Sequence, residues 1–242
     1  MAEPLEHSHD PDDIAKRLRE GYRVSYLSDW IYGGIDGAIT TFAIVAGSLG
    51  ADFSTRVILI LGFVNVMADG FSMAAANFSG TKADNDNAER LRKVEERHIR
   101  LAPEGERQEI RQIFADKGFA GETLEQVVDV ITADKRLWID TMLTEEHGIA
   151  LARRSPTKAA FSTFLGFLLC GLVPLMPFLF GLPHAGYLCL ALTAAVFFLI
   201  GLWKSQWSPQ RWYESAVETL IIGLSAAGIA YLLGDVLGRV FA

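Results

Sequence analysis

Two carboxylates stand inside runs that are otherwise apolar. Asp36 lies in Gly33-Gly34-Ile35-Asp36-Gly37, and Asp69 in Ala68-Asp69-Gly70. A carboxylate in hydrocarbon costs about 2.5–3.5 kcal/mol on insertion scales, so it is retained where it faces a polar cavity, an ion path or a partner. Neither run contains a Lys or Arg to neutralise it. Asn65, Asp69 and Met73 fall at i, i+4 and i+8, which stacks amide, carboxylate and thioether along one helix face. Such a stripe can pass a partly dehydrated divalent cation from ligand to ligand. Taken singly, a methionine such as Met73 is more often lipid- or core-facing packing than a ligand.

A second set of candidate ligands lies in a charged segment. Glu95-Glu96-Arg97-His98 puts Glu95 and His98 on one helix face, and Glu106-Arg107-Gln108-Glu109 does the same for two acids. Glu145-Glu146-His147 is a third group. Oxygen donors mixed with imidazole suit Fe(II), Mn(II) or Zn(II), and the lack of thiolates disfavours Cu(I). Helical bundles commonly build metal sites from i, i+3 pairs on facing helices. The competing reading is a solvated, salt-bridged surface. His7 and His9 flank Ser8 in an acidic tail with Asp10, Asp12 and Asp13, a pattern that suits weak metal capture or plain disorder.

The elements that must position these groups follow from the composition. The chain has 242 residues, 50% of them apolar, with 22 basic and 29 acidic side chains and a mean hydropathy of +0.24. High hydropathy with many charges excludes both a uniform soluble globule and a disordered chain; the two residue classes must be segregated. A net charge of −7 argues against nucleic acid as a partner. Cys170 and Cys189 sit in apolar runs, so no disulfide framework is expected. Residues 1–29 lack the apolar core of a signal peptide.

Five apolar runs predict membrane-spanning helices: Trp30–Gly50, Val57–Ser79, Ala159–Phe180, Ala185–Trp203 and Ser215–Leu237. Each approaches the ~20 helical residues that cross a bilayer core about 30 Å thick. With the N-terminus cytoplasmic, segments 1–29, 80–158 and 204–214 carry 4, 14 and 2 Lys or Arg, against Arg56 and Arg239 on the far side. The positive-inside bias therefore puts the N-terminus in the cytosol and the C-terminus outside. The expected fold is an all-α membrane protein of five transmembrane helices. A cytoplasmic tail spans 1–29, helices one and two 30–80, a cytoplasmic helical insert 81–157, and helices three to five 158–242. In the insert, helices are expected over Asp84–Leu101, Glu104–Lys117, Thr123–Asp134 with Thr123-Leu124-Glu125-Gln126 as a capping box, and Arg136–His147. Gly33 and Gly37 have the small-xxx-small spacing of close helix packing, as do Gly223 and Ala227. Pro174 and Pro177 predict a kink in the third span.

The run Asp36-Gly-Ala-Ile-Thr-Thr-Phe-Ala-Ile-Val-Ala-Gly47, together with Gly70-Phe-Ser-Met73, Gly171-Leu-Val-Pro-Leu-Met-Pro177 and the helical insert, resembles the vacuolar iron transporter family. That family includes the yeast vacuolar iron and manganese importer and bacterial members. The resemblance covers nearly all of residues 30–237. It implies proton-coupled export of Fe(II), and often Mn(II), from the cytosol by a homodimer whose first two spans line the path. The family's path acid falls on Asp36, its methionine on Met73 and its span-two glutamate on Asn65. An amide carries no proton, and our own reading is that Asp69, one turn on, supplies the missing charge. The family's metal-binding insert maps onto Glu95, His98, Glu106, Glu109 and Glu146, with its methionine on Met142. His98 replaces a glutamate there and remains a good ligand for Fe(II) or Mn(II).

The expectation is a transporter rather than an enzyme, with divalent metal ions, protons and lipid as partners and no organic cofactor or nucleic acid. A bacterial inner membrane is the expected location. Two other readings stay open: a membrane-anchored di-iron, ferritin-like oxidase built on Glu95-x-x-His98, and a metal-sensing protein without flux. The di-iron pattern normally needs two Glu-x-x-His motifs, and Glu106-x-x-Glu109 lacks the histidine.

Overall fold

The computed structural model describes residues 7–21, 24–205 and 211–241. Residues 1–6 and 22–23 of the expected tail and 206–210 of the expected 204–214 loop lie outside the described residues. The described chain is helical, with no strand: α1 Pro11–Glu20, α2 Leu27–Gly50, α3 Thr55–Leu101, α4 Pro103–Asp116, α5 Gly121–Ala133, α6 Lys135–Glu145, α7 Pro156–Leu172, α8 Met176–Leu179, α9 Ala185–Lys204 and α10 Trp212–Phe241. A 3₁₀ turn, Val173–Leu175, joins α7 to α8. Two compact units emerge, an apolar one of residues 26–82 and 155–242 and a charged one of residues 1–25 and 83–154. The 47-residue α3 contributes to both.

In the apolar unit, five helical stretches are long and apolar enough to cross a membrane: α2, the first part of α3, α7 through α8, α9 and α10. α2 is central, packed on α7, α10 and α9. The α2–α7 crossing brings backbones together. A methyl group on Gly33 would fall on the Thr163 carbonyl, one on Gly37 on the Phe167 backbone, and one on Gly166 on the Trp30 carbonyl. The small-xxx-small spacing thus has a packing role, because without a hydrophobic drive between helices in lipid, close van der Waals contact must hold them. α3 receives side chains instead: Leu175 fills the space over Gly62, and the Phe164 and Phe167 rings lie over Gly70. The core joins Ala38, Phe42, Val45, Ile58, Val66, Leu175, Phe178 and Phe197. Pro174 and Pro177 break the third span as expected, since neither can donate to the carbonyl one turn back.

In the charged unit, α3 stops at Leu101 because Pro103 disfavours helical backbone at Ala102, whose φ is −140°. Pro103 then opens α4, where its missing N–H costs nothing. Ile110, Val128, Ile131, Trp138 and Met142 form a small core beneath α4, α5 and α6. Asp134 caps α6 by accepting from the Arg136 and Leu137 amides at 2.7 and 3.1 Å. Two local expectations are corrected. The Thr123 capping box does not form: α5 begins two residues earlier, after Ala120, so Thr123 is already inside the helix and Gln126 donates to Glu122 at 3.4 Å. The tail is not irregular throughout. Asp10 accepts from the Asp12 amide at 3.0 Å, Pro11 sits in the first turn, Arg17 and Arg19 lie in the last, and Gly21 leaves the helix at φ +66°; these signals together build α1.

Candidate metal sites

The break at Ala102-Pro103 turns the chain back, so that α4 carries Glu106 beside residues one turn before the end of α3. Glu95 and His98 project from α3, Glu106 and Glu109 from α4, and Glu146 and His147 from the end of α6. Two trios result, each with its candidate ligand atoms within 4.8 Å of one another: Glu95, His98 and Glu106, and Glu95, Glu146 and His147. Glu95 belongs to both. His98 Nδ1 lies 3.3 Å from Glu106 Oε1, His147 Nε2 2.9 Å from Glu95 Oε1, and His147 Nε2 3.6 Å from Glu146 Oε2.

Burial separates these acids from the rest of the charged surface. The Glu95 and Glu106 side chains are 2% and 6% exposed, and the second oxygen of each has no hydrogen-bond partner. A buried carboxylate oxygen without a partner is costly and calls for a reason. Elsewhere in the unit several acids are paired with arginine: Arg111 grips Glu125 with two bonds of 2.8 Å, Arg107 holds Asp129, Arg92 holds Asp140, and Arg153 reaches Glu89 at 2.7 Å. Among the described residues no Lys or Arg pairs with Glu95, Glu106 or Glu146. The acid strengths divide accordingly. The Arg111 and Arg153 hydrogen bonds hold Glu125 and Glu89 below the usual carboxylate range. Burial, then the charges of Glu109 and Glu95, push Glu106 up to about 7. Burial also raises Glu146. A cluster of acids that resist ionising together is the arrangement a cation stabilises.

Glu109 is exposed and adds charge at the edge of the cluster. Met142 is fully buried in the small apolar core, one turn before Glu146. The sequence reading named the Glu145-Glu146-His147 group but did not count His147 among the ligands. Its position just past a helix end, beside an acid, was the available signal; its approach to Glu95, 52 residues away, is tertiary.

In the apolar unit the polar stripe on α3 divides. Asn65 donates to the Asp69 carboxylate, and the Thr41 hydroxyl of α2 donates to the Asn65 carbonyl at 3.4 Å. Asp36, half-buried on α2, lies near enough for its charge to interact with that of Asp69. Met73 belongs to a different place, a cavity of about 460 Å³ lined also by Ser28, Asp29, Tyr32, Ala76 and Asn77. There Asn77 donates to Asp29 at 2.9 Å and to Thr163 at 2.7 Å, and Thr81 donates to Asn77 at 3.2 Å. The four-residue repeat therefore runs on past Met73 to Asn77 and Thr81, and this continuation is visible in the sequence.

The VIT family profile matches residues 27–235. The vacuolar iron transporter of Toxoplasma gondii is 31% identical over 224 residues, covering 88% of this chain and 74% of its own. Vacuolar iron transporter 1 of Arabidopsis thaliana is 31% identical over 216 residues, covering 87% and 85%. The vacuolar iron transporter of Plasmodium falciparum is 29% identical over 223 residues, covering 87% and 82%. A family match across both the spanning helices and the charged helices between them, joined by relatives aligned over most of their own length, establishes that the chain belongs to the VIT family.

Proposed function

We propose that this chain is a metal-ion transporter, not an enzyme, and that it exports Fe(II), with Mn(II) as a second substrate, from the cytosol by proton antiport. The observation that carries the reading is the cluster around the buried Glu95 and Glu106 carboxylates, which no Lys or Arg among the described residues neutralises, together with carboxylates in the spanning helices. Glu95, His98, Glu106, Glu109 and Glu146 capture the ion, with Met142 shaping the site from beneath. The ion then passes Met73, Asn65, Asp69 and Asp36. The Asn65 amide donating to Asp69 supports the two acting as one pair, in which Asp69 is the acid.

The coupling follows from ligand chemistry. A carboxylate that binds a cation must release its proton, and one that takes a proton loses the cation. Protonation of Asp36 or Asp69 from the far side weakens metal affinity there and releases the ion. An inward proton gradient therefore drives metal outward. The half-buried path residues support a homodimer in which a second copy of α2 and α3 closes the path. The basic residues support an N-terminus in the cytosol, with a bacterial inner membrane as the setting.

The test is metal flux in proteoliposomes with and without a pH gradient. Fe(II) movement that depends on the gradient, with Mn(II) competing, is the expected result. Asp36→Ala with undiminished flux would refute the path. Metal binding without any flux would favour a sensor instead.

A further inference from the structure

We propose that the cavity among α2, α9 and α10 binds one acyl chain of a phospholipid, whose ester and phosphate oxygens accept hydrogen bonds from His184, Tyr187 and Tyr231. The site lies within the apolar unit and shares no residue with the metal trios or with the polar stripe on α3. The inference stands without the transport reading.

The cavity has a volume of about 590 Å³. Small residues create it: Ala46 on α2, Ala185 and Gly186 at the start of α9, and Ala227 and Gly228 on α10. At Gly228 the space is open enough that a methyl group would meet nothing within 4 Å. Elsewhere the same helices touch by backbone. A methyl on Gly234 would fall on the Gly47 carbonyl of α2, and one on Gly201 of α9 on the Ser215 and Ala216 backbone of α10. Gaps of this size are few in a packed interior, where side chains interdigitate to the density of an organic crystal, so the space calls for an occupant.

The polarity of the lining identifies that occupant. A bound water needs several polar partners, and the deeper wall offers only apolar side chains, Phe42, Ala46, Leu190, Leu224 and Ala227. The apolar matter around a unit of five membrane-spanning helices is lipid chain. From Phe42 to Leu49 the wall runs about 10 Å along α2, at about 1.5 Å per residue. The polar groups gather at one end. His184 precedes α9, Tyr187 lies in its first turn, and Tyr231 is the lining residue furthest along α10. The His184 and Tyr187 rings stand 6.5 Å apart. An apolar space with neutral donors at a single end matches an amphiphile whose head accepts hydrogen bonds. No Lys or Arg lines the cavity, so the charge of that head is not selected.

The test uses the full chain in mixed micelles with a phosphatidylcholine that carries a diazirine at the end of one acyl chain. Photolysis and peptide mapping should find one probe per chain, its adducts confined to α2 between Phe42 and Leu49 and to α10 between Leu224 and Tyr231. A phosphatidylglycerol form of the probe should label equally, and inorganic phosphate should not compete. Gly228→Leu fills the cavity from a position with room for the side chain and raises helix propensity. It should cut the labelling at least about tenfold, the worth of about two buried methylenes. Ile229→Leu, one residue on and outside the lining, should label as the parent does. His184→Gly suits the backbone φ of +56° better than histidine does. It should keep the labelled positions and weaken the probe about 2- to 10-fold, the worth of one hydrogen bond. The mapping on the parent depends on no variant folding. The proposal is overturned by adducts spread evenly over exposed apolar positions such as Phe71 and Ile221, by Gly228→Leu labelling as the parent does, by competition from phosphate, by a preference between the two heads, or by undiminished affinity in His184→Gly.

Discussion

Replacing Glu106 by Gln should stabilise the metal-free charged unit and weaken its hold on metal. Glu106 titrates at about 7 in the folded unit against 4.5 for a free glutamate, because it is buried among Glu109, Glu95 and Glu146. Between those two values the folded unit keeps a proton that the unfolded chain has released. The contribution of Glu106 to the stability of the metal-free unit therefore falls as pH rises from 4.5 to about 7, and is level on either side. The shift corresponds to about 3 kcal/mol at face value, and screening by water at the cluster's open edge reduces it to about 1–2 kcal/mol. Gln keeps the size of the side chain, and its carbonyl can still accept from His98, but it carries no charge at any pH. Hydrogen–deuterium exchange of α4–α6 in the full chain reads the effect. At pH 8 without metal, amides that exchange by opening of the unit should be about 5- to 30-fold better protected in Glu106→Gln than in the parent. At about pH 3.5, below both values, the two should agree. With Co(II) added the order should reverse, because the parent gains a ligand–metal bond and the variant does not. Equal or poorer protection of the variant at pH 8 would mean that the acids do not repel one another as their geometry requires.

Other outcomes follow from the same contacts. Asp36→Asn should abolish Fe(II) flux in proteoliposomes while leaving Co(II) binding by the charged unit unchanged, which separates path from capture. Gly37→Val should cost at least about 2 kcal/mol, since the new side chain meets the Phe167 backbone, which cannot move aside; thermal unfolding in detergent measures it. Asn77→Leu removes the donor to Asp29 and Thr163 and should destabilise by about 1–3 kcal/mol in the same assay. Asn65→Glu adds a second titrating carboxylate next to Asp69 and should shift the pH dependence of flux with little change in metal capture.

The amphipathic and apolar patterns alone located the five spans, the break at Ala102-Pro103 and the proline-interrupted third helix. Each depends on rules that act within a few residues: hydrocarbon thickness, the missing donor of proline, the periodicity of a helix. The same locality explains the errors. Thr123 and Gln126 satisfy a capping pattern in letters, yet α5 had already begun, so the hydroxyl had no free amide to cap. The tail looked polar and irregular by composition, while Asp10, Pro11 and Gly21 together define a helix with clear ends.

Candidate ligands were visible as residue types at helical spacing, but type and spacing could not say which would meet. Glu95 and Glu96 are neighbours of equal chemistry. Folding buries the first among acids from two other helices and leaves the second exposed. Glu106 and Glu109 share a face by spacing, yet only Glu106 is buried, with its acid strength moved toward neutrality. Met73 shares a stripe with Asn65 and Asp69, but lines the cavity with Asp29 and Asn77. Sequence thus determined which segments are helical, which are apolar enough for lipid, and which donors were available. Only the tertiary structure decided which donors converge, because the contacts join residues from 8 (His98 and Glu106) to 52 (Glu95 and His147) positions apart and no local pattern encodes that distance.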